Sequence, residues 1–213
     1  MTTRHRPARS QRGRGLGILA LGTSTGGPNA LAALLPALRH PIPVPIVIVQ
    51  HMPEMFTRLL AERLSNAARF PVHEATGGEA LHPGAAWLAP GGYHLEVDDS
   101  DGTPRTRLHE GPPEHSCRPA VDVLFRSVAR VYGARSLAVV LTGMGQDGLD
   151  GSGEIVRAGG EVLVQDEATS VIWGMPGAIA RAGYASKVLP LADLASEMDR
   201  LCHGTRPTLL RSR

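Results

Sequence analysis

The chain has 213 residues, 42% of them hydrophobic and only 4% aromatic, which leaves room for one domain whose core must be filled by Leu, Val, Ile and Ala, as in parallel α/β sheets covered by helices. Its net charge of +2 comes from the ends: eight of the 22 Lys and Arg lie in residues 1–14 and 205–213, where there is no acid, so 14 basic residues face all 20 Asp and Glu and the body is net −6. That field excludes a nucleic-acid-binding surface on the folded body. Two cysteines without CxxC spacing, no signal peptide and no membrane-spanning apolar stretch point to a reduced, cytoplasmic protein without direct membrane insertion. The basic segments 1–14 and 205–213 read as disordered tails; the first also has the Arg-rich character of an organelle transit sequence, but a tail is the simpler reading.

Short apolar runs alternate with helical spacing along the body. Residues 16–22 read as a buried strand, 28–38 as a helix, 44–50 as a second strand and 55–68 as a second helix. From 71 to 109 the pattern breaks into brief strands separated by Gly-Gly, Pro-Gly and Asp-Gly pairs, predicting an antiparallel hairpin insertion containing 85–88 and 93–97. Helical spacing returns at 121–131, followed by a strand at 137–141, a helix at 151–158, a strand at 161–165 and helices at 177–182 and 191–202. The expected architecture over residues 15–204 is a three-layer, doubly wound α/β domain, with a mainly parallel sheet, helices on both faces and the hairpin inserted.

Three predicted strands end in polar loops bearing reactive residue types, and in an open parallel sheet such ends share one crevice. Gly22-x-Ser24-x-Gly26 follows a strand and precedes a helix, the setting of a nucleophile elbow, where free N–H groups at the helix start can bind an oxyanion. A capping serine in a glycine-rich turn is the plain alternative. A dinucleotide loop is excluded: the Gly15-x-Gly17-x-x-Ala20 spelling lies before or within the strand, not after it, and no GKS or GKT follows. His51 directly follows the second strand and can take the hydroxyl proton and return it to a leaving group; taken alone, a structural histidine bonded to a loop carbonyl is the plainer reading. Asp147, in the glycine-dense loop after the 137–141 strand, can orient that imidazole, with Asp150 as a nearby decoy. Taken together at three strand ends, Ser24, His51 and Asp147 are the candidate catalytic residues. His109, His115 and Cys117 lack a fourth ligand at zinc spacing, so no metal is expected. Trp87, Tyr93 and Trp173 read as packing or crevice-wall residues.

The motifs Gly-Thr-Ser-Thr-Gly-Gly at 22–27, Gln-His-Met-Pro at 50–53, Ala-Pro-Gly-Gly-Tyr-His at 89–94, Pro-Ala-Val-Asp-Val-Leu-Phe at 119–125, Leu-Thr-Gly-Met-Gly-Gln-Asp-Gly at 141–148 and Gln-Asp-Glu-Ala-Thr-Ser at 165–170 through Gly-Met-Pro at 174–176 occur in this order. In them the chain resembles the catalytic domain of CheB-type protein-glutamate methylesterases, over about residues 16–183. The resemblance implies a seven-stranded, mainly parallel sheet with one antiparallel hairpin, a triad of Ser24, His51 and Asp147, and Thr25 and Met144 near the oxyanion site. It also implies hydrolysis of glutamate methyl esters on methyl-accepting chemoreceptors, with glutamine deamidation in many members, and no cofactor. Thr23 replaces a commoner alanine and Ala120 a commoner serine. Members typically carry an amino-terminal receiver domain, for which residues 1–14 are too short, so the chain is either a stand-alone enzyme or a piece of a longer protein. A catalytically idle scaffold that binds a receptor or signalling partner, and an esterase for a substrate outside chemotaxis, are the competing readings.

Overall fold

The computed structural model describes residues 15–204; the expected basic tails lie outside the described residues. Seven strands form one sheet, in the order β3-β4-β2-β1-β7-β8-β9. They are β1 (Ile18–Thr23), β2 (Ile46–Gln50), β3 (Val72–Glu74), β4 (Ala86–Leu88), β7 (Ser136–Val140), β8 (Glu161–Gln165) and β9 (Lys187–Leu189). Every pairing within this sheet is parallel. The helices are α1 (Gly27–Ala37), α2 (Glu54–Ala67), α3 (Val121–Tyr132), α4 (Leu149–Arg157), α5 (Met175–Arg181) and α6 (Leu191–His203).

Because side chains alternate across a strand, β1 divides the core in two. Leu19 and Leu21 pack with Leu31, Leu34 and Leu35 of α1, Leu60 and Leu64 of α2, and Leu194 and Met198 of α6. Ile18 and Ala20 face the opposite layer, with Leu124, Phe125 and Val128 of α3, Ile155 of α4 and Ile179 of α5. Burial on both faces explains why the central strands are continuous apolar runs. Three layers, doubly wound, result.

The predicted hairpin is corrected in its membership. Residues 94–98 (β5, His94–Asp98) do form an antiparallel hairpin, but their partner is β6 (Arg105–His109), in a separate two-stranded sheet. Residues 86–88 instead enter the parallel sheet between β2 and β3. Ala86, Trp87 and Leu88 are all buried, as a central strand covered on both faces requires, whereas in β5 half-buried Glu96 and Asp98 alternate with buried Leu95 and Val97. The edge strands β3 and β9 carry no expectation from the sequence, being three residues long with His73, Glu74 or Lys187 among them; short, charged edges also resist pairing with a second chain.

From β1 the chain winds outward through β2 to β3 on one side, and β7 returns to the other flank of β1 before the chain winds outward again to β9. The direction of winding reverses beside β1, where the carboxyl ends of adjacent strands open a crevice. Register keeps those ends level, with Thr23 opposite Gln50 and Gly22 opposite Val140.

Gly22 lets α3 approach β1 closely. A Cβ there would lie 2.4 Å from Val121 Cγ1 and 2.9 Å from Cγ2. Gly22→Ala is expected to destabilise the domain by about 1–3 kcal/mol through overpacking, read from the urea midpoint; an unchanged midpoint would show that α3 can yield.

Candidate active site

Ser24 is half-buried at the end of β1, one residue before the exposed Thr25 and two before Gly26. Gly26 caps α1 at φ 84°, a left-handed conformation that glycine adopts without steric cost. Neighbouring strands grip this turn. Ser24 N–H donates to Thr142 C=O (3.0 Å), and Gln50 Nε2 donates to the carbonyls of both Ser24 (3.0 Å) and His51 (2.8 Å). The Thr142 hydroxyl donates to Thr25 C=O (2.9 Å), while Gln165 Oε1 accepts Thr142 N–H (2.8 Å). A Cβ on Gly143 would come within 2.8 Å of Ser24 Cβ, so the loop after β7 presses directly on the serine.

On the other flank, His51 N–H donates to Thr23 C=O (3.1 Å), setting the histidine beside the serine turn. His51 Nε2–H donates to Asp147 Oδ2 at 2.7 Å, and the side chains are 12% and 2% exposed. Asp147 also accepts the N–H groups of Val121 (2.6 Å) and Asp122 (2.9 Å). These are the first N–H groups of α3, which have no acceptor inside their own helix, and a carboxylate suits the positive end of the helix dipole. Burial pushes the Asp147 carboxyl upward, but the hydrogen bonds from His51, Val121 and Asp122 outweigh it and hold the group below its ordinary value. It is ionised at neutral pH and ready to stabilise an imidazolium.

Asp122, on α3, returns the arrangement. Its Oδ1 accepts Gly151 N–H at 2.6 Å in the first turn of α4, and its Oδ2 accepts from His115 Nε2 at 2.9 Å. So Asp147, just before α4, caps α3, and Asp122 of α3 caps α4. Burial and the nearby Asp147 charge push the Asp122 carboxyl up despite the Gly151 bond. The sequence decoy Asp150 is exposed on α4 and makes no hydrogen bond to His51. With His115 and Asp122 it forms the one described group whose ligand atoms lie within 4.8 Å of one another, but both Asp122 oxygens already accept protein donors.

Of the expected triad, the His51–Asp147 hydrogen bond is formed. Ser24 stands at the adjacent strand end, and among the described residues its hydroxyl makes no hydrogen bond to His51; such contacts are often loose before substrate arrives. His51 Nδ1 instead has Cys117 Sγ at 3.6 Å. Met144 is 71% exposed at the crevice rim. Among the described residues the N–H groups of Thr25 and Met144 have no protein acceptor. Trp87 is a core residue of β4, and Trp173 Nε1 donates to Gln165 C=O at 2.8 Å. Gln50, Thr142, Gln165, Asp122 and Cys117 were not singled out by sequence as site residues. Gln50 and Gln165 left a trace, as polar residues ending otherwise apolar buried strands.

A doubly wound parallel sheet that brings a serine turn and an imidazole–carboxylate pair to its reversal point defines an α/β domain with the layout of a serine hydrolase. The comparisons are specific: the family model for CheB methylesterase matches residues 19–198. The chain belongs to the CheB methylesterase family. It is 56% identical over 185 residues to a protein-glutamate methylesterase/protein-glutamine glutaminase of Trichodesmium erythraeum, covering 87% of this chain and 53% of that one. To the protein of the same name from a Nocardioides species it is 52% identical over 206 residues, covering 97% of this chain and 56% of that one. The chain thus spans about half the length of these relatives. The crystal structure of the Thermotoga maritima CheB methylesterase catalytic domain superposes with a TM-score of 0.86 at 38% identity, covering 88% of this chain and all of that one.

Proposed function

We propose that residues 15–204 form a catalytic unit that hydrolyses glutamate methyl esters on methyl-accepting chemotaxis receptors, and the carboxamides of selected glutamines, in the cytoplasm. Ser24 is the nucleophile, His51 the base and then the acid, Asp147 the carboxylate that orients it, and Thr25 and Met144 flank the oxyanion site. The observation that carries this reading is the 2.7 Å His51–Asp147 hydrogen bond, formed one strand away from Ser24 where the sheet reverses. The named activity of the relatives supports the substrate class.

Since Asp147 holds Nε2–H, the lone pair of His51 is on Nδ1, beside the Cys117 thiol (3.6 Å), and it takes the Ser24 proton as the hydroxyl attacks the ester carbonyl. The carbonyl oxygen becomes an oxyanion, for which the N–H groups of Thr25 and Met144, without a protein acceptor among the described residues, are candidate donors. Collapse breaks the C–O bond, and the proton on Nδ1 leaves with methanol. Water then gives a proton to the same nitrogen and attacks the carbonyl of the acyl-enzyme; the bond to Ser24 Oγ breaks as Nδ1 returns the proton to that oxygen, and the glutamyl carboxyl group leaves. No cofactor enters this cycle. A protein substrate is supported by the large apolar residues left exposed in the segments that follow the carboxyl ends of the sheet strands, Met55, Phe56 and Leu59 early in α2, Met144 after β7 and Val171 after β8, since exposed apolar groups mark docking sites when they share a surface. Among the described residues no helix is long and apolar enough to cross a membrane.

The test is methanol release from methylated cytoplasmic receptor fragments. Release that saturates with receptor is expected; none, with no labelling of Ser24 by a fluorophosphonate, would overturn the reading in favour of a binding scaffold. Faster turnover of a simple methyl ester than of receptor would move the substrate outside chemotaxis.

A further inference from the structure

We propose that Cys117 is a specificity-determining residue that forms the wall of the leaving-group pocket and biases the site toward methyl esters over carboxamides. This rests on the hydrolase reading above. His51 has two ring nitrogens, and Asp147 occupies Nε2, so the proton given to the departing group must come from Nδ1. The departing atom must therefore come within hydrogen-bond reach of Nδ1, about 3 Å. Cys117 Sγ lies 3.6 Å from that nitrogen, so whatever the departing atom carries is brought against the thiol.

The thiol is held in place from both directions. The turn from Glu114 to Cys117 is closed by two backbone bonds, Glu114 N–H to Cys117 C=O (3.1 Å) and Cys117 N–H to Glu114 C=O (2.8 Å). His115 and Ser116 at its centre have φ of 49° and 60°, the left-handed pair of a tight hairpin turn. His115 is tied to Asp122, and the Arg118 guanidinium is tied to the carbonyls of Glu110 (3.0 Å) and Gly111 (3.1 Å). The wall does not yield easily to a larger group.

Its chemistry suits one leaving group better than the other. Burial pushes the Cys117 thiol up, and the Asp147 charge pushes it the same way, so sulfur stays protonated at neutral pH and is a poor nucleophile. A neutral thiol is a small, polarisable, nearly apolar surface with weak hydrogen-bonding power. The methyl of a departing methanol packs against it without loss. In deamidation the C–N bond breaks and nitrogen takes the proton from Nδ1 to leave as ammonia; its remaining N–H groups lose water on entering and find only a weak acceptor in sulfur.

The test compares the parent, Cys117→Ser and Cys117→Ala on one receptor fragment carrying a methyl-esterified or an amidated glutamate, with methanol and ammonia measured in parallel. Serine offers a stronger acceptor in similar volume, so the methanol-to-ammonia rate ratio should fall about tenfold. Alanine opens space, so the ethyl-to-methyl ester ratio should rise about tenfold, the range one methylene commands in a pocket. A residue serving only the fold would change all rates together and leave both ratios alone. Ratios within twofold of the parent, with turnover still abolished by Ser24→Ala, would overturn the role of Cys117 alone; a parent that releases neither product removes the hydrolase reading and this role with it.

Discussion

Ser24→Ala is expected to lower methanol release by about 10⁴-fold or more, because removal of the proposed nucleophile leaves only the modest acceleration supplied by binding and oxyanion stabilisation. The loss should fall on kcat, with receptor binding retained, since the exposed apolar residues proposed to meet the receptor are untouched. Stability should stay within about 0.5 kcal/mol of the parent. The side chain is half-buried, and the bonds that fix its turn, from Ser24 N–H to Thr142 and from Gln50 to Ser24 C=O, are made by backbone atoms that alanine keeps. Measured kcat on methylated receptor beside a urea melt decides the matter. Activity within tenfold of the parent would remove Ser24 from the chemistry.

Asp147→Asn should cut kcat by about 10⁴-fold, as a carboxamide permits the wrong imidazole tautomer and cannot stabilise an imidazolium. Unlike the serine change, it should also destabilise the fold, by about 2 kcal/mol. The carboxylate accepts from His51, Val121 and Asp122; an amide has one acceptor atom and sets an N–H against at least one of these donors. The pH dependence has a definite sign. The folded-state pKa of Asp147 is depressed, so its stabilisation is present above its unfolded value, near 3.8, and is lost as pH falls through the folded value. The stability gap between parent and variant should therefore be full at neutral pH and close as the solution becomes more acidic than the ordinary carboxylate range. Urea melts at several pH values read it directly. A gap that does not change with acidification would mean that Asp147 carries no charge in the fold.

The serine, histidine and aspartate could be picked out from sequence because each stands just beyond an apolar run, and a parallel sheet sends all such positions to one edge. They stand out only as a set, at three strand ends, since each alone is an ordinary turn residue. The central strands were legible for a related reason: burial on both faces leaves no polar residue to blur the pattern. Residues 86–88 misled, because three buried residues fit a hairpin or a central strand equally well, and only pairing with β2 and β3 separates the two. Lys187–Leu189 carried too little pattern to be seen. Asp122 and Cys117 were hidden differently. Asp122 acts on Gly151, 29 positions away, and Cys117 on His51, 66 positions away, and no local spacing encodes either meeting. Asp122 sat within a motif that the family resemblance picked out, which located it without explaining it.

The exchange of carboxylates between α3 and α4 ties chemistry to architecture. Two helix starts and the anchor of the imidazole share a single set of hydrogen bonds, so none can be loosened without the others. The proposed base is therefore not an adjustable appendage on a stable scaffold; the alignment of its imidazole is inherited from the way two helices are moored to each other. Sequence drift that reshapes the crevice must come from the rim, at positions such as Met144 and Cys117, while the mooring stays as it is.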